Sequence, residues 1–201
     1  MVQGLKNRDQ WEESKMKSLL KIYGMPALHF STGGVAKIDD AFLRYYFSHL
    51  PPDGSYVRLN AAFAYLGAHI AFGHIPTIDN EMGFIDFIRH GIPRKALDYL
   101  MHASNKSPVD MAALMQISYR TFQKYTPEYV LNPEQSEKAL EIARLYSRGA
   151  EVFGGLALFK EWMDIPIAAL GNKKPAAFLD TSLGIEILME ELGRIEHGIF
   201  A

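Results

Sequence analysis

Residues 107–125 read Ser107-Pro108-Val109-Asp110-Met111-Ala112-Ala113-Leu114-Met115-Gln116-Ile117-Ser118-Tyr119-Arg120-Thr121-Phe122-Gln123-Lys124-Tyr125. Ser107 is placed as an N-cap, Pro108 as the first helical residue and Asp110 as the acid that closes a capping box. The helix they start runs through Met111 to Gln116. Ser118 then caps a second short helix, Tyr119 to Tyr125, which Pro127 ends. This is the spacing of a helix-turn-helix: Ala112 is small enough for the helices to approach, and Ile117 and Phe122 fill the gap between them. In that arrangement the second helix, from Ser118 onward, faces DNA with Tyr119, Arg120, Thr121, Gln123 and Lys124. Arg120 and Gln123 suit base edges and Lys124 suits a phosphate. Gln116 stands where such a turn usually carries glycine. A helical hairpin used only for packing has the same spacing.

Charge around this stretch is uneven. Residues 1–88 hold 8 Lys+Arg against 9 Asp+Glu, residues 89–127 hold 6 against 2, and residues 128–201 hold 7 against 12. A basic middle before an acidic end predicts one module that faces a polyanion and a second with another task. The 201 residues suffice for one large domain or two small ones, and 48% hydrophobic residues supply a core. The absence of cysteine excludes a disulfide scaffold, thiolate metal sites and a cysteine nucleophile. Residues 1–24 mix charges and lack the apolar core of a signal peptide, and no apolar run is long enough to span a bilayer. These features predict a cytoplasmic protein with no membrane partner.

Upstream, the pattern predicts a helix over 9–23, capped by Asp9 and stopped at Gly24 and Pro26. Ser31-Thr32-Gly33-Gly34 lacks the Lys-Ser/Thr of a phosphate-binding loop and reads as a turn. Asp39 or Asp40 caps a helix through Phe47, which ends in the turn Pro51–Gly54. Ser55–Leu59 is the one candidate strand. Residues 57–73, rich in alanine and aromatics, predict a buried helix. His69 and His74 are five apart and read as structural histidines, since a helical zinc pair wants four; no metal site is expected. A helix over 79–90 turns Phe84, Ile85, Phe87 and Ile88 inward. Another begins at Pro93 and buries Ala96, Leu97, Leu100 and Met101.

Downstream, Asn132-Pro133-Glu134-Gln135 is a second capping box, opening a long helix that stops at Gly154-Gly155. A helix with Leu158, Phe159 and Trp162 follows, then short turns at Pro166–Leu170 and Pro175–Leu179. Trp162 and Phe178 are the expected anchors of this core. Thr181 caps the last helix, whose apolar face is Ile185, Leu188, Leu192, Ile195 and Ile199. Glu186, Glu190, Glu191 and Arg194 lie off that face, with Glu190 and Arg194 paired. Gly193 costs about 1 kcal/mol against alanine inside a helix, so close packing is expected around it. Gly198 stops the helix in a left-handed residue. Beyond it come Ile199, Phe200 and Ala201, either docked on the protein's own core or offered to a partner.

One ordered set of residues is similar to a known family. Glu151-Val152-Phe153-Gly154, Trp162, Ala169-Leu170-Gly171, Pro175, Leu179-Asp180-Thr181, Gly184 and Leu192-Gly193-Arg194-Ile195-Glu196-His197-Gly198 resemble the Xre/MbcA/ParS toxin-binding domain of bacterial type II antitoxins. Gly91-Ile92-Pro93 and the helix-turn-helix resemble the Xre-like domain that precedes it. The expected chain is all-α: the resemblance covers roughly residues 62–201, with a helix-turn-helix domain over 61–130 and a toxin-binding domain over 131–201, and leaves residues 1–60 outside it as an N-terminal extension whose own pattern is helical. The resemblance implies an antitoxin that blocks the active-site entrance of a RES-domain toxin, an enzyme that consumes NAD, and that binds its own promoter DNA. It also implies a homodimer within a larger toxin–antitoxin complex. Arg194, Glu196, His197, Gly198, Ile199 and Phe200 are then the toxin-binding residues, with Arg194 and His197 holding the end in place.

Two other readings fit parts of the pattern. A helix-turn-helix transcriptional regulator without a toxin partner needs only the middle module. An enzyme would need Glu196 and His197 as an acid–base pair. Adjacent helical residues diverge by about 100° and do not face one site. No nucleophile, glycine-rich cradle or metal cluster accompanies them, so neither catalysis nor a cofactor is expected.

Overall fold

The computed structural model describes residues 57–67, 78 and 80–198. The expected helices at 9–23 and after Asp39, the turns at Ser31–Gly34 and Pro51–Gly54, and His69, His74, Ile199 and Phe200 lie outside them. The described residues form eight α-helices and no strand. They are α1 (Val57–Tyr65), α2 (Glu81–His90), α3 (Lys95–Ser104), α4 (Pro108–Leu114), α5 (Tyr119–Phe122), α6 (Pro133–Phe153), α7 (Leu156–Asp164) and α8 (Ser182–Glu196). Two 3-10 turns, Ala168–Leu170 and Pro175–Phe178, join α7 to α8. From Val57 on, the candidate strand Ser55–Leu59 is helical. No described helix is long and apolar enough to cross a membrane.

The 21 residues of α6 make it the axis, at about 1.5 Å per residue some 30 Å long. It packs against α1, α2 and α3 and also against α7 and α8. Small residues permit this: Ser136, Ala139, Ala143, Ser147, Gly149 and Ala150 are all buried along it. Its start is the expected box, with Asn132 accepting from the Gln135 N–H at 2.8 Å and Gln135 accepting from the Asn132 N–H at 3.3 Å. Its end is Gly154 in the left-handed region, φ 71°. Helix α1 lies against α6, and every residue from Ala61 to Leu66 is buried. The Phe63 ring stacks on Phe84 and meets Phe87 edge-on at 4.8 Å, which joins α1 to α2. Ile85, expected inward, is exposed, about 100° around α2 from buried Phe84.

Helix α3 starts at Lys95 rather than at Pro93, because residues 92–95 are held by the segment before α6. Pro93 and Val130 form an isolated antiparallel bridge. The Arg94 and Lys95 N–H groups donate to the carbonyls of Tyr129 and Pro127 at 2.7 and 3.0 Å, and the Ile92 N–H donates to buried Ser136 Oγ. Donors that a helix start leaves open are thus filled by a neighbouring strand-like segment instead of a side-chain cap. The last turn of α3 is tied down too. The Tyr146 hydroxyl of α6 donates to the Ser104 carbonyl, and Lys160 Nζ of α7 donates to that of His102.

In the C-terminal half the expected anchors, Trp162 and Phe178, are only half-buried. The deep positions are Tyr146, Phe159, Leu179, Leu188 and Leu192. Phe159 meets Tyr146 edge-on at 5.2 Å and stacks on Trp162 at 5.7 Å, so the tryptophan covers the phenylalanine from outside. The ring of Phe159 lies on the bare backbone of Gly149, where a Cβ would overlap it. Alanine in a free helix would gain about 1 kcal/mol over glycine, whereas overpacking costs about 1–3 kcal/mol. Gly149→Ala is therefore expected to lower stability despite the better helix former, measured as a fall in the urea midpoint.

Candidate DNA-facing and partner-facing sites

The helix-turn-helix forms from its caps outward. Ser107 Oγ accepts from the Asp110 N–H at 3.2 Å, and the Asp110 carboxylate accepts from the Ser107 hydroxyl and N–H at 2.7 and 3.1 Å. These bonds hold the Asp110 carboxyl below the usual carboxylate range, with the Ser107 hydroxyl the largest cause. Ala112, Met115 and Phe122 are buried, and the Ile117 N–H reaches back to the Ala112 carbonyl at 3.0 Å. Gln116 takes the left-handed conformation, φ 56°, that the missing glycine would have supplied. An L side chain there costs about 1–2 kcal/mol, which the rest of the motif absorbs.

Ser118 caps α5 by accepting from the Thr121 N–H at 3.0 Å. The helix is shorter than the expected Tyr119–Tyr125. After Phe122 the chain tightens into a turn, with the Lys124 N–H on the Thr121 carbonyl and the Tyr125 N–H on that of Phe122. Ser118, Tyr119, Arg120, Gln123 and Lys124 are exposed on one short segment. Thr121 is half-buried, and its hydroxyl pairs with Ser118 Oγ at 2.8 Å.

Part of the basic middle is turned inward. The Arg94 guanidinium lies 4.8 Å from the Phe122 ring centre and 3.0 Å from Asp98. It braces the recognition helix rather than presenting charge. Burial raises the Asp98 carboxyl above its ordinary range, against the lowering effect of Arg94. Beside α5 the Tyr125 and Tyr129 rings stack at 3.8 Å, and Tyr129 and Val130 are exposed. Sequence spacing does not reveal this aromatic edge, since the bridge to Pro93 creates it.

At the other end, Thr181 caps α8 as expected, accepting from the Gly184 N–H at 3.1 Å. Ile185, Leu188 and Leu192 are buried and Ile195 is half-buried. Glu191, expected off the apolar face, is buried. Arg194 Nε donates to it at 2.7 Å, while Glu190 stands 4.0 Å away. Arg194 thus neutralises a buried acid one turn back. The end of α8 is secured by Arg148 of α6, whose Nη2 donates to Glu196 and whose Nη1 donates to Glu151 at 2.9 Å. Burial opposes the Arg148 charge, yet Glu196 and Glu151 hold its pKa above the ordinary arginine range. No local pattern points to Arg148, 48 residues from Glu196. His197 and Gly198 are exposed, and Gly198 turns the chain out of the helix at φ 67°. Gly193, expected to be required by close packing, has nothing of the described structure within 4 Å of where a Cβ would stand. Among the described residues no group of three or more His, Cys, Asp or Glu is placed to hold a metal ion.

Two family models match the chain. Residues 83–144 match the antitoxin Xre-like helix-turn-helix domain, and residues 148–198 match the antitoxin Xre/MbcA/ParS C-terminal toxin-binding domain. Between them they take in more than half of the chain, and they meet inside α6. A protein named Antitoxin Xre from Yersinia enterocolitica is 26% identical over 119 residues, 58% of this chain and 80% of that protein. One of the same name from Photorhabdus laumondii is 26% identical over 114 residues, 56% of this chain and 77% of that protein.

The capping box gives a pH signature. A carboxyl whose pKa is lower folded than unfolded adds stability above its unfolded value, and that stability is lost as pH falls through the folded one. Asp110 should therefore stabilise the motif at neutral pH and cease to do so below about pH 4. Asp110→Asn is expected to weaken the fold at pH 7 and to flatten its loss of stability in acid, followed by urea unfolding at each pH.

Proposed function

The chain belongs to the Xre/MbcA/ParS antitoxin family, and we propose that it neutralises a RES-domain, NAD-consuming toxin by lodging the end of α8 in the toxin's active-site entrance. The supporting observation is the anchored end of α8. Arg148 fixes Glu196 from a neighbouring helix, so the last turn of α8 is held against the body up to Gly198. A rigidly held end loses little freedom when it binds. The surrounding module is acidic, and a pocket that accepts an anionic dinucleotide tends to be basic, so charge favours the encounter. Glu196, Gly198, Ile199 and Phe200 are the proposed contacts, with Arg194 and His197 beside them. The proposed division of labour keeps residues 61–130 as the reader and 131–201 as the inhibitor, with α6 common to both and residues 1–60 an added extension.

The same chain, as a dimer, binds its own promoter through α5. Arg120 and Gln123 read bases, Lys124 and Ser118 meet phosphates, and Tyr119 and Thr121 flank them. With two cations, Arg120 on α5 and Lys124 just after it, affinity is modest and its salt dependence shallow.

Two experiments test these roles. Full-length chain should co-purify with the RES-domain toxin and protect cells from it, and deletion of Gly193–Ala201 should abolish both; equal protection by the truncated chain would remove the end of α8 from the mechanism. Arg120→Ala should weaken binding to promoter DNA by at least tenfold in a gel shift, about 1.4 kcal/mol or more. An unchanged shift would assign recognition to another surface.

A further inference from the structure

Helix α8 contains a glycine that no packing contact among the described residues requires. Gly193 lies within continuous helix, with no positive φ. No described atom lies within 4 Å of where its Cβ would stand. Elsewhere a reason is visible: Gly149 makes room for Phe159, a Cβ on Gly184 would overlap the Phe178 carbonyl, and Gly154 and Gly198 are left-handed. Inside a helix glycine is the least favourable residue short of proline, through lost backbone entropy and exposed peptide groups. Gly193 therefore weakens α8 beside the end that Arg148 holds fixed, with no compensating contact in the described protein.

The residues one turn away on the same surface are Met189 and Glu190 before it and Glu196 and His197 after it. Glu190 and His197 are exposed and Met189 is half-buried. They form a notch with helix backbone as its floor; exposed Glu186 and Glu190 make one side of its rim acidic, while Glu196 at the other end is paired with Arg148.

We infer that Gly193 keeps this notch open for the close approach of a positively charged loop of the toxin, and so sets how deeply α8 seats. The inference rests on the toxin-binding reading above and adds a positioning residue to it. The occupant is assigned to the toxin for two reasons. One side of the rim is acidic in an acidic module, and the notch is continuous with the last turn of α8 proposed to enter the toxin.

The test is Gly193→Ala in the full-length chain, with melting of the free protein and affinity for the purified RES-domain toxin both measured. The alanine variant should melt a few degrees higher, because a better helix former meets open space. It should bind the toxin at least tenfold more weakly, because a methyl group now stands on the contact floor. Gly193→Leu should bind more weakly still while remaining folded. Lower melting of Gly193→Ala would mean that the chain itself fills the notch, and unchanged affinity would mean that no partner approaches it; either overturns the inference while the toxin-binding reading stands. A wild-type chain that fails to bind the toxin at all would remove both.

Discussion

Everything described here hangs on how closely other helices can approach α6. Half of its buried residues are serine, alanine or glycine, so neighbours reach its backbone from several directions. The contact of Phe159 on Gly149 is the tightest instance. Close approach raises the number of dispersion contacts per residue, which individually are small and together decide packing. It also requires satisfied polar groups, since Ser136 and Ser147 are buried with the rest. Ser136 meets this by accepting from the Ile92 N–H and donating to the Leu131 carbonyl, so a buried hydroxyl also fixes the entry to α3.

What the sequence disclosed was local. The caps at Ser107, Ser118, Asn132 and Thr181 could be read because each uses residues three apart in the chain. The helix-turn-helix and the stops at Gly154 and Gly198 follow from similarly short-range rules. What it concealed depends on distant segments. Nothing near Glu191 announces that it is buried, and nothing near Arg148 announces Glu196. Ile85 has the spacing of an inward residue, but α1 covers only the Phe84 side of α2. Size also misled: Trp162 and Phe178 are large yet only half-buried, while Phe159, whose ring lies on Gly149, is fully buried. Gln116 teaches the reverse lesson, for a turn can keep its left-handed residue without glycine when both flanking helices are well capped.

Many residues that carry the family resemblance are architectural. Gly154 and Gly171 supply left-handed stops, Leu179 is buried, Thr181 caps α8, and Gly184 lets that cap close against Phe178. A motif made of such residues reports a shape reliably and a binding surface only indirectly. The charge pattern is similar. Arg94 contributes to the basic count of the middle segment but spends its charge on Asp98 and the Phe122 face, so fewer cations than the sequence suggests remain at the surface.

The ties from Tyr146 and Lys160 to the last carbonyls of α3 have a consequence for recombination. A chimera that joined the helix-turn-helix domain of one relative to the C-terminal domain of another at the junction of the two family matches would cut through α6. It would pair one parent's Ser104 and His102 carbonyls with donors from the other. Exchange is tolerated more readily where few such bonds cross the seam. A seam before Asn132 keeps α6 whole but is crossed by the same bonds and by that of Ile92 to Ser136, so a transplanted C-terminal half must bring residues at 136, 146 and 160 that match its new host.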